Sequence, residues 1–238
     1  GEGERAPEVY IGAKDSKQAG KAFRACEIMV ASSPELQSTM YVNHTTKTLS
    51  VPENWGMIQV LSADVDSAHG KNANAVIMDE VHILPNRLLW DAMEGSQRSR
   101  REPLFFGIST AGPYDPTSVG YQEFQVAERV MRGDLVHPRY FAQIYRSASS
   151  EDPIDDVQSY VRANPGLGIM CSIDDLKEDI RKAQSSPAQE HRVRRYLRNE
   201  WVGSTQAWLD MNEWARCARV VDREKMRGRR CWLGFDKG

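Results

Sequence analysis

The sequence predicts an α/β fold: a mostly parallel sheet with helices on both faces, then a helical region, then the first strand of a second sheet. Three observations carry this. Near-continuous apolar runs at 8–13, 73–79 and 103–109 have the texture of strands buried on both faces. Segments with apolar residues at helical spacing lie between them, so strand and helix alternate. After about residue 147 helical patterns dominate, until WLGF at 232–235 opens a new strand.

Residues 8–13 (EVYIGA) read as a buried strand. Over 16–31, Ala19, Ala22, Phe23, Cys26 and Val30 fall near a helical repeat, and Pro34 punctuates that helix's end. Residues 39–51 (TMYVNHTTKTLSV) have β-rich arms around a polar turn, a hairpin, and 56–62 (GMIQVLS) is a further strand. The run 73–79 (ANAVIMD) suits a central parallel strand. A helix after Pro85 carries Leu88, Leu89, Ala92 and Met93 on one side. Residues 103–109 (PLFFGIS) read as another buried strand and 117–131 as a helix. The polar stretch SASSEDPIDD is a loop. Helices are expected at roughly 154–162, 172–184, 187–200 and 210–219, followed by a charged linker, 221–230 (VDREKMRGRR). A domain rarely stops one strand into a new sheet, so a fragment is expected.

Composition excludes several classes. Hydrophobic residues make up 40% and charged residues 27%, as in globular proteins. No run approaches the roughly 18 consecutive apolar residues of a membrane span. The N-terminal GEGERAPEVY lacks the apolar core of a signal peptide. Cys26, Cys171, Cys217 and Cys231 form no CxxC pair, which argues against a disulfide scaffold or zinc site and for a reducing compartment. The net charge of −2 is uneven: 1–180 hold 26 acidic and 17 basic residues, 181–238 hold 7 and 14. The basic C-terminal quarter suits either a polyanion or a solvated helix face.

The strongest chemical signal is VIMDE, Val76 to Glu80: an apolar strand ending in Asp-Glu, the Walker B arrangement of P-loop nucleotide hydrolases. The carboxyl end of such a strand borders the nucleotide crevice. Asp79 there can hold Mg²⁺ beside the phosphates of ATP, and Glu80 can orient and polarise the attacking water. Thirty residues downstream GISTAGP ends the next strand in small and hydroxyl residues, a turn able to sense phosphate. The order strand–DE–helix–strand–STAG is more specific than either motif. No GxxxxGK[ST] is present; Gly12-AKDSKQA-Gly20-Lys21-Ala22 has the wrong spacing and no hydroxyl for Mg²⁺. The phosphate loop is expected to precede residue 8. Asp236, closing WLGFD, suits the first metal carboxylate of a ribonuclease H-like, two-metal nuclease.

Arg192, Arg194, Arg195 and Arg198 interleave with Tyr196 and Trp201. The expectation is that Val193, Tyr196, Leu197 and Trp201 pack inward. The arginines remain open between DNA phosphates, domain docking and solvent. His82 reads as a packing residue rather than a sensor.

Taken in order, these blocks resemble the large terminase subunit of tailed bacteriophages: EVYIGAKDSKQAGKAF, LSADVDSAHGKNANAVIMDEVHIL, REPLFFGISTAGP, YVRANPGLG, RRYLRNEWVGSTQAWLDMNEW and GRRCWLGFDKG. The resemblance implies a P-loop NTPase-type core lacking the Walker A loop (1–148), a helical linker region (149–226) and the start of a nuclease domain (227–238). It implies Glu80 as catalytic base, Asp79 as the Mg²⁺ residue, Ser109, Thr110 and Gly112 as the coupling turn, and Asp236 as a nuclease metal ligand. Lys71, Arg100 and Arg101 are candidates for an arginine finger, and with Arg194, Arg195 and Arg198 for DNA or phosphate contact. The implied cofactors are ATP and Mg²⁺, with Mg²⁺ or Mn²⁺ for the nuclease. The implied partners are double-stranded viral DNA, the portal protein, the small terminase subunit and further copies in a ring, with no membrane, in the host cytoplasm. A DExH helicase is the alternative, because Asp79-Glu80-Val81-His82 spells that box; no QxxGRxxR helix follows. A non-enzymatic DNA-binding protein with a degenerate ATPase fold is a third.

Overall fold

The computed structural model describes residues 5–61 and 70–203, with Gly228 and Arg230. The chain divides into two units between residues 203 and 204, and the described residues 5–61 and 70–203 belong to the first. The expected helix 210–219, most of the linker 221–230 and the strand bearing Asp236 lie outside the described residues.

Six strands form one sheet: β1 (Glu8–Gly12), β2 (Tyr41–Asn43), β3 (Thr48–Val51), β4 (Gly56–Leu61), β5 (Ala75–Met78) and β6 (Leu104–Gly107), in the order β2-β3-β4-β1-β5-β6. β1 runs parallel to β4 and β5, and β5 parallel to β6. The β2–β3 hairpin adds to β4 antiparallel. The four parallel strands therefore present their carboxyl ends along one edge, the ligand-binding edge of open α/β sheets.

Alternation along the strands assigns the two faces. Tyr10, Leu61, Val76 and Met78 point to one side. There they meet Leu89, Trp90 and Met93 of helix α3 (Leu88–Ser96), with the Phe105 ring tilted against Trp90 at 4.6 Å. Ile58, Val60 and Leu49 point to the other, against Phe23 and Val30 of α1 (Ser16–Ser32). Asp15 starts α1 by accepting the amides of Lys17 and Gln18. Pro34 does more than stop it: Ser33 closes α1 and caps α2 (Pro34–Thr39), with Pro34 in the first turn, where a missing N–H costs nothing. Helix α4 (Val119–Arg132), capped by Ser118, ends in Gly133 at φ +79, the left-handed stop that glycine favours.

One expectation fails on burial. The run 103–109 does form β6, but β6 is an edge strand among those described. Leu104, Phe106 and Ile108 are about half exposed on the face opposite Phe105. Apolar runs identify a strand; they do not say whether both its faces are covered.

Three helices follow: α5 (Val157–Ala163), α6 (Ile173–Ser185) and α7 (Pro187–Leu197). Tyr160, Leu176, Ile180, Ala183 and Val193 form their core, separate from the two cores on the sheet. Helix α7 stops before residue 200, because Asn199 takes a left-handed backbone (φ +54) that asparagine tolerates. Arg198, wholly buried, bonds the carbonyls of Ser149, Asp152 and Pro153 and pairs with Glu200 at 2.8 Å.

Candidate active site

Asp79 follows β5 directly. Its amide bonds the carbonyl of Gly12 at the end of β1 (2.8 Å), and the amide of Ile108 bonds Met78 (2.8 Å), so β1, β5 and β6 converge there. At Gly12 a Cβ would stand 2.6 Å from Met78 Sδ, so the methionine would have to move to admit a side chain. Glu80 then adopts φ 52, ψ 51, the left-handed region that costs a residue with a Cβ about 1–2 kcal/mol. Such strain collects at functional positions. The 3-10 turn Val81–Ile83 comes next, pinned by Val81 N–H to the Ile108 carbonyl (3.2 Å).

The Glu80 carboxylate lies in an unusual setting. Its Oε2 is buried and has no hydrogen-bond partner among the described residues. His82 Nδ1 is 3.2 Å away, but the same nitrogen faces Ser109 Oγ at 3.2 Å. Burial pushes the Glu80 carboxyl above its ordinary value and Asp79 adds to this, while Lys21 and Arg195 oppose it. Burial holds the His82 imidazole low, and Arg195 acts in the same direction; His82 is therefore neutral near pH 7. It is a contact between the acidic pair and the next turn as well as a packing residue.

That turn is GISTAGP. Ser109 Oγ accepts the His82 amide (2.9 Å) and donates to the Thr110 carbonyl (2.9 Å). Ser109 and Thr110 are exposed at the crevice, whereas Ala111 and Gly112 are buried. A Cβ on Gly112 would come within 3.1 Å of Trp201 and 3.3 Å of His82. The turn is gripped from the far end of the unit. Asn199 Oδ1 accepts the Ala111 amide (2.6 Å), Arg195 Nε donates to the Ala111 carbonyl (3.1 Å), and the Tyr114 amide bonds Val202 (2.7 Å). From below, Gly120 brings α4 against His82; a Cβ there would meet His82 Cα at 2.5 Å. Trp201 packs edge-on against Tyr121.

The structure thus brings Asp79, Glu80, Ser109, Thr110, Gly112 and Arg195 together. The other candidates lie elsewhere. Lys71 precedes β5, bonds Gln59 (3.2 Å) and lies over the Tyr10 ring. Arg100 bonds the carbonyls of Asn72 and Ala6, at that same end of the strand. Arg101 is exposed. Arg194 pairs with Glu190 and Glu200, and Arg198 is sealed in the helical core. Tyr196, expected to pack inward, is 54% exposed and lies against the Arg195 guanidinium. Asp236 lies outside the described residues. Sequence reasoning missed Asn199, Gly120 and the grip of Trp201. The only signal was RNEW after a helix, where Asn suits a left-handed stop.

Comparison with known proteins decides the family. The sequence model of the terminase large subunit ATPase domain matches residues 2–129, and that of the terminase large subunit endonuclease domain matches 136–237. The chain belongs to the terminase large subunit family. The large terminase subunit of Enterobacteria phage HK97 is 26% identical over 90% of this chain and 41% of its own length. Protein YmfN of Escherichia coli K12 is 24% identical over 70% of the chain and 36% of its own. The crystal structure of the HK97 large terminase superposes with a TM-score of 0.72 at 24% identity, over 91% of this chain and 44% of that one, and so shares the fold. This terminase chain spans about two fifths of the length of these relatives. Both matching sequence models are terminase models, which displaces the helicase reading of Asp79-Glu80-Val81-His82. The endonuclease model starts at 136, so the helices α5–α7, read from sequence as a linker, fall within its span.

Proposed function

We propose that this chain carries the water-activating side of the ATP-hydrolysis site of a motor that packages viral double-stranded DNA, joined to a metal-dependent nuclease. One observation carries the reading: Glu80, strained at the end of β5, holds a buried carboxylate oxygen without a hydrogen bond, next to Asp79 and linked to the coupling turn through His82. An unsatisfied buried carboxylate oxygen costs stability and raises the proton affinity of the group.

In this reading Glu80 accepts a hydrogen bond from the attacking water and takes its proton on the exposed side of its carboxylate, which its raised proton affinity favours. Asp79 holds Mg²⁺. Among the described residues no group of three or more His, Cys, Asp or Glu is placed to hold a metal. One strand-end carboxylate completed by phosphates and water is how Mg²⁺ is commonly bound. When bound, that ion supplies charge neutralisation at the phosphates. Ser109 and Thr110 present hydroxyls to the phosphate end of the crevice, and Gly112 lets the turn lie under Trp201 and His82. Asp236 is proposed as the first nuclease ligand, for Mg²⁺ or Mn²⁺. The proposed partners are double-stranded viral DNA, the portal protein, the small terminase subunit and further copies in a ring, in the host cytoplasm. No helix among the described residues is long and apolar enough to cross a membrane.

The test is Glu80→Gln in the full-length gene product. Hydrolysis should fall by at least about 100-fold with nucleotide binding retained, because Gln keeps the size and loses the base. Turnover near the unmodified level would remove Glu80 from this role.

A further inference from the structure

The arginine that meets the phosphates is not evident from sequence, and the structure singles one out. Resting on the ATPase reading above, we propose that Arg195 of α7 extends its guanidinium fork to the terminal phosphate in cis, and that its tether to Ala111 passes the state of that phosphate to the helical unit.

Arg195 is half-buried, and Nε is fixed by the Ala111 carbonyl at 3.1 Å. Its guanidinium lies 4.8 Å from the centre of the Tyr196 ring, which orients the plane. Nη1 and Nη2 have no hydrogen-bond or carboxylate partner among the described residues. The neighbouring Arg194 and Arg198 both have carboxylates within 3.2 Å. A half-buried arginine held by one nitrogen and open at the other two is set for a bidentate anion. Its position identifies the anion. The carbonyl that holds Nε belongs to the turn whose Ser109 touches His82, and His82 lies 3.2 Å from Glu80. The charge of Arg195 is felt at both Glu80 and His82. Lys71 and Arg100 are engaged before the start of β5, at the other end of the strand from Asp79. Lys21, the other cation felt at Glu80, is a point charge without a fork.

The tether supplies the second half of the proposal. Ala111 is held at its carbonyl by Arg195 and at its amide by Asn199, both at the end of α7. A fork that engages phosphate pulls on this pair of bonds, and its release on phosphate departure relaxes them.

The experiment uses the full-length gene product and compares Arg195→Ala, Arg195→Lys and Arg195→Gln by steady-state ATPase and by binding of ADP with and without aluminium fluoride. A fork on the transferring phosphate predicts kcat lower by about 100- to 1000-fold in the Ala and Gln variants, KM and ADP binding within a few-fold, and loss of the aluminium fluoride-dependent tightening. Gln can still donate to the Ala111 carbonyl, so normal kcat in Arg195→Gln would reduce Arg195 to a strut and overturn the proposal. Lys should recover less than tenfold; full recovery would show that the fork is not used. Mixing Arg195→Ala with Glu80→Gln subunits tests the cis geometry: no recovery is expected, and recovered hydrolysis would place Arg195 in a neighbour's site. Glu80→Gln alone controls for the ATPase reading, which fails separately if that variant still turns over.

Discussion

Two ionisable groups, Glu80 and Arg198, sit in different surroundings: the Arg198 side chain is wholly buried, and that of Glu80 is about a third exposed. Arg198 is sealed in the helical unit: its Nη1 and Nη2 donate to three carbonyls, while Nε lies 2.8 Å from Glu200 without a hydrogen bond. Glu200 is itself shared with Ser147 and Arg194. Glu80 keeps a buried oxygen without a partner and a backbone that costs energy to hold. Each keeps one buried atom without a hydrogen bond, Glu80 Oε2 and Arg198 Nε, but Arg198 has its other two nitrogens bonded to carbonyls and Glu200 at its side, whereas Glu80 has only His82 within 3.2 Å. The left-handed backbone, which Arg198 does not share, is what marks Glu80 as a place where stability is given up.

The largest effect should come from breaking the satisfied side. Arg198→Ala leaves Glu200 buried without its main partner and should destabilise the unit by about 3–5 kcal/mol, read from urea unfolding. The double variant Arg198→Met/Glu200→Leu should recover most of that loss, since it removes both charges. A single variant as stable as the unmodified protein would mean the pair is idle.

The other side should respond with the opposite sign. Glu80→Gly relieves the left-handed strain and removes the unpartnered carboxylate, so stability should rise, by up to about 1 kcal/mol after the entropy cost of glycine. Hydrolysis should be lost in the same variant. A clear loss of stability would show that Glu80 supports the fold rather than burdening it.

Much of the sheet was legible in the sequence because its signals are local. VIMDE shows a strand and its acidic end within five residues, and the polar turn in TMYVNHTTKTLSV shows the hairpin. The missing information is non-local. Exposure of Phe106 depends on what lies beside β6, not on PLFFGIS. The grip of Asn199 on Ala111 joins residues 88 positions apart, and nothing in RNEW or STAG names the other. The arginines of α7 look alike in sequence. Three consecutive roles, paired Arg194, open Arg195 and sealed Arg198, depend on how α7 meets residues 147–156 and 111.

Between the two regions stands Gly112, and its substitution should have a moderate effect. A Cβ would lie 3.1 Å from the Trp201 ring and 3.3–3.4 Å from His82, so side chains must yield by a few tenths of an ångström. Gly112→Ala should cost about 1 kcal/mol and impair hydrolysis more than it impairs nucleotide binding, because the shift falls on the turn that links Glu80 to α7. Gly120→Ala, whose Cβ would meet backbone at 2.5 Å, should cost more stability than Gly112→Ala in the same melts. The reverse order would mean that α4 can move and the turn cannot.

The smallest effect belongs to the helical unit's acid response. Ser159 Oγ lies 2.8 Å from Asp152 and 2.7 Å from Asp156, which share its single proton, and this hydroxyl is the main reason that both carboxyls titrate below their ordinary value. Asp152 also feels Arg198, and Asp156 caps α5 through the amides of Gln158 and Ser159. A carboxyl whose folded pKa is depressed binds its proton more tightly when unfolded. Its stabilising contribution is therefore complete above the unfolded value, near pH 4, and is lost as the pH falls through the lower folded value. Ser159→Ala removes the shared donor and should bring both folded values back toward the ordinary one. Stability measured from about pH 6 down to pH 3 should then fall less steeply on the acid side in the variant, while starting from a lower level at neutral pH. Glu80 cannot produce this pattern, since its shift is upward and its contribution has the opposite slope. If the two pH profiles are parallel, Ser159 serves only to fill space beneath α5, and the satisfied network around Arg198 does not extend to these carboxylates.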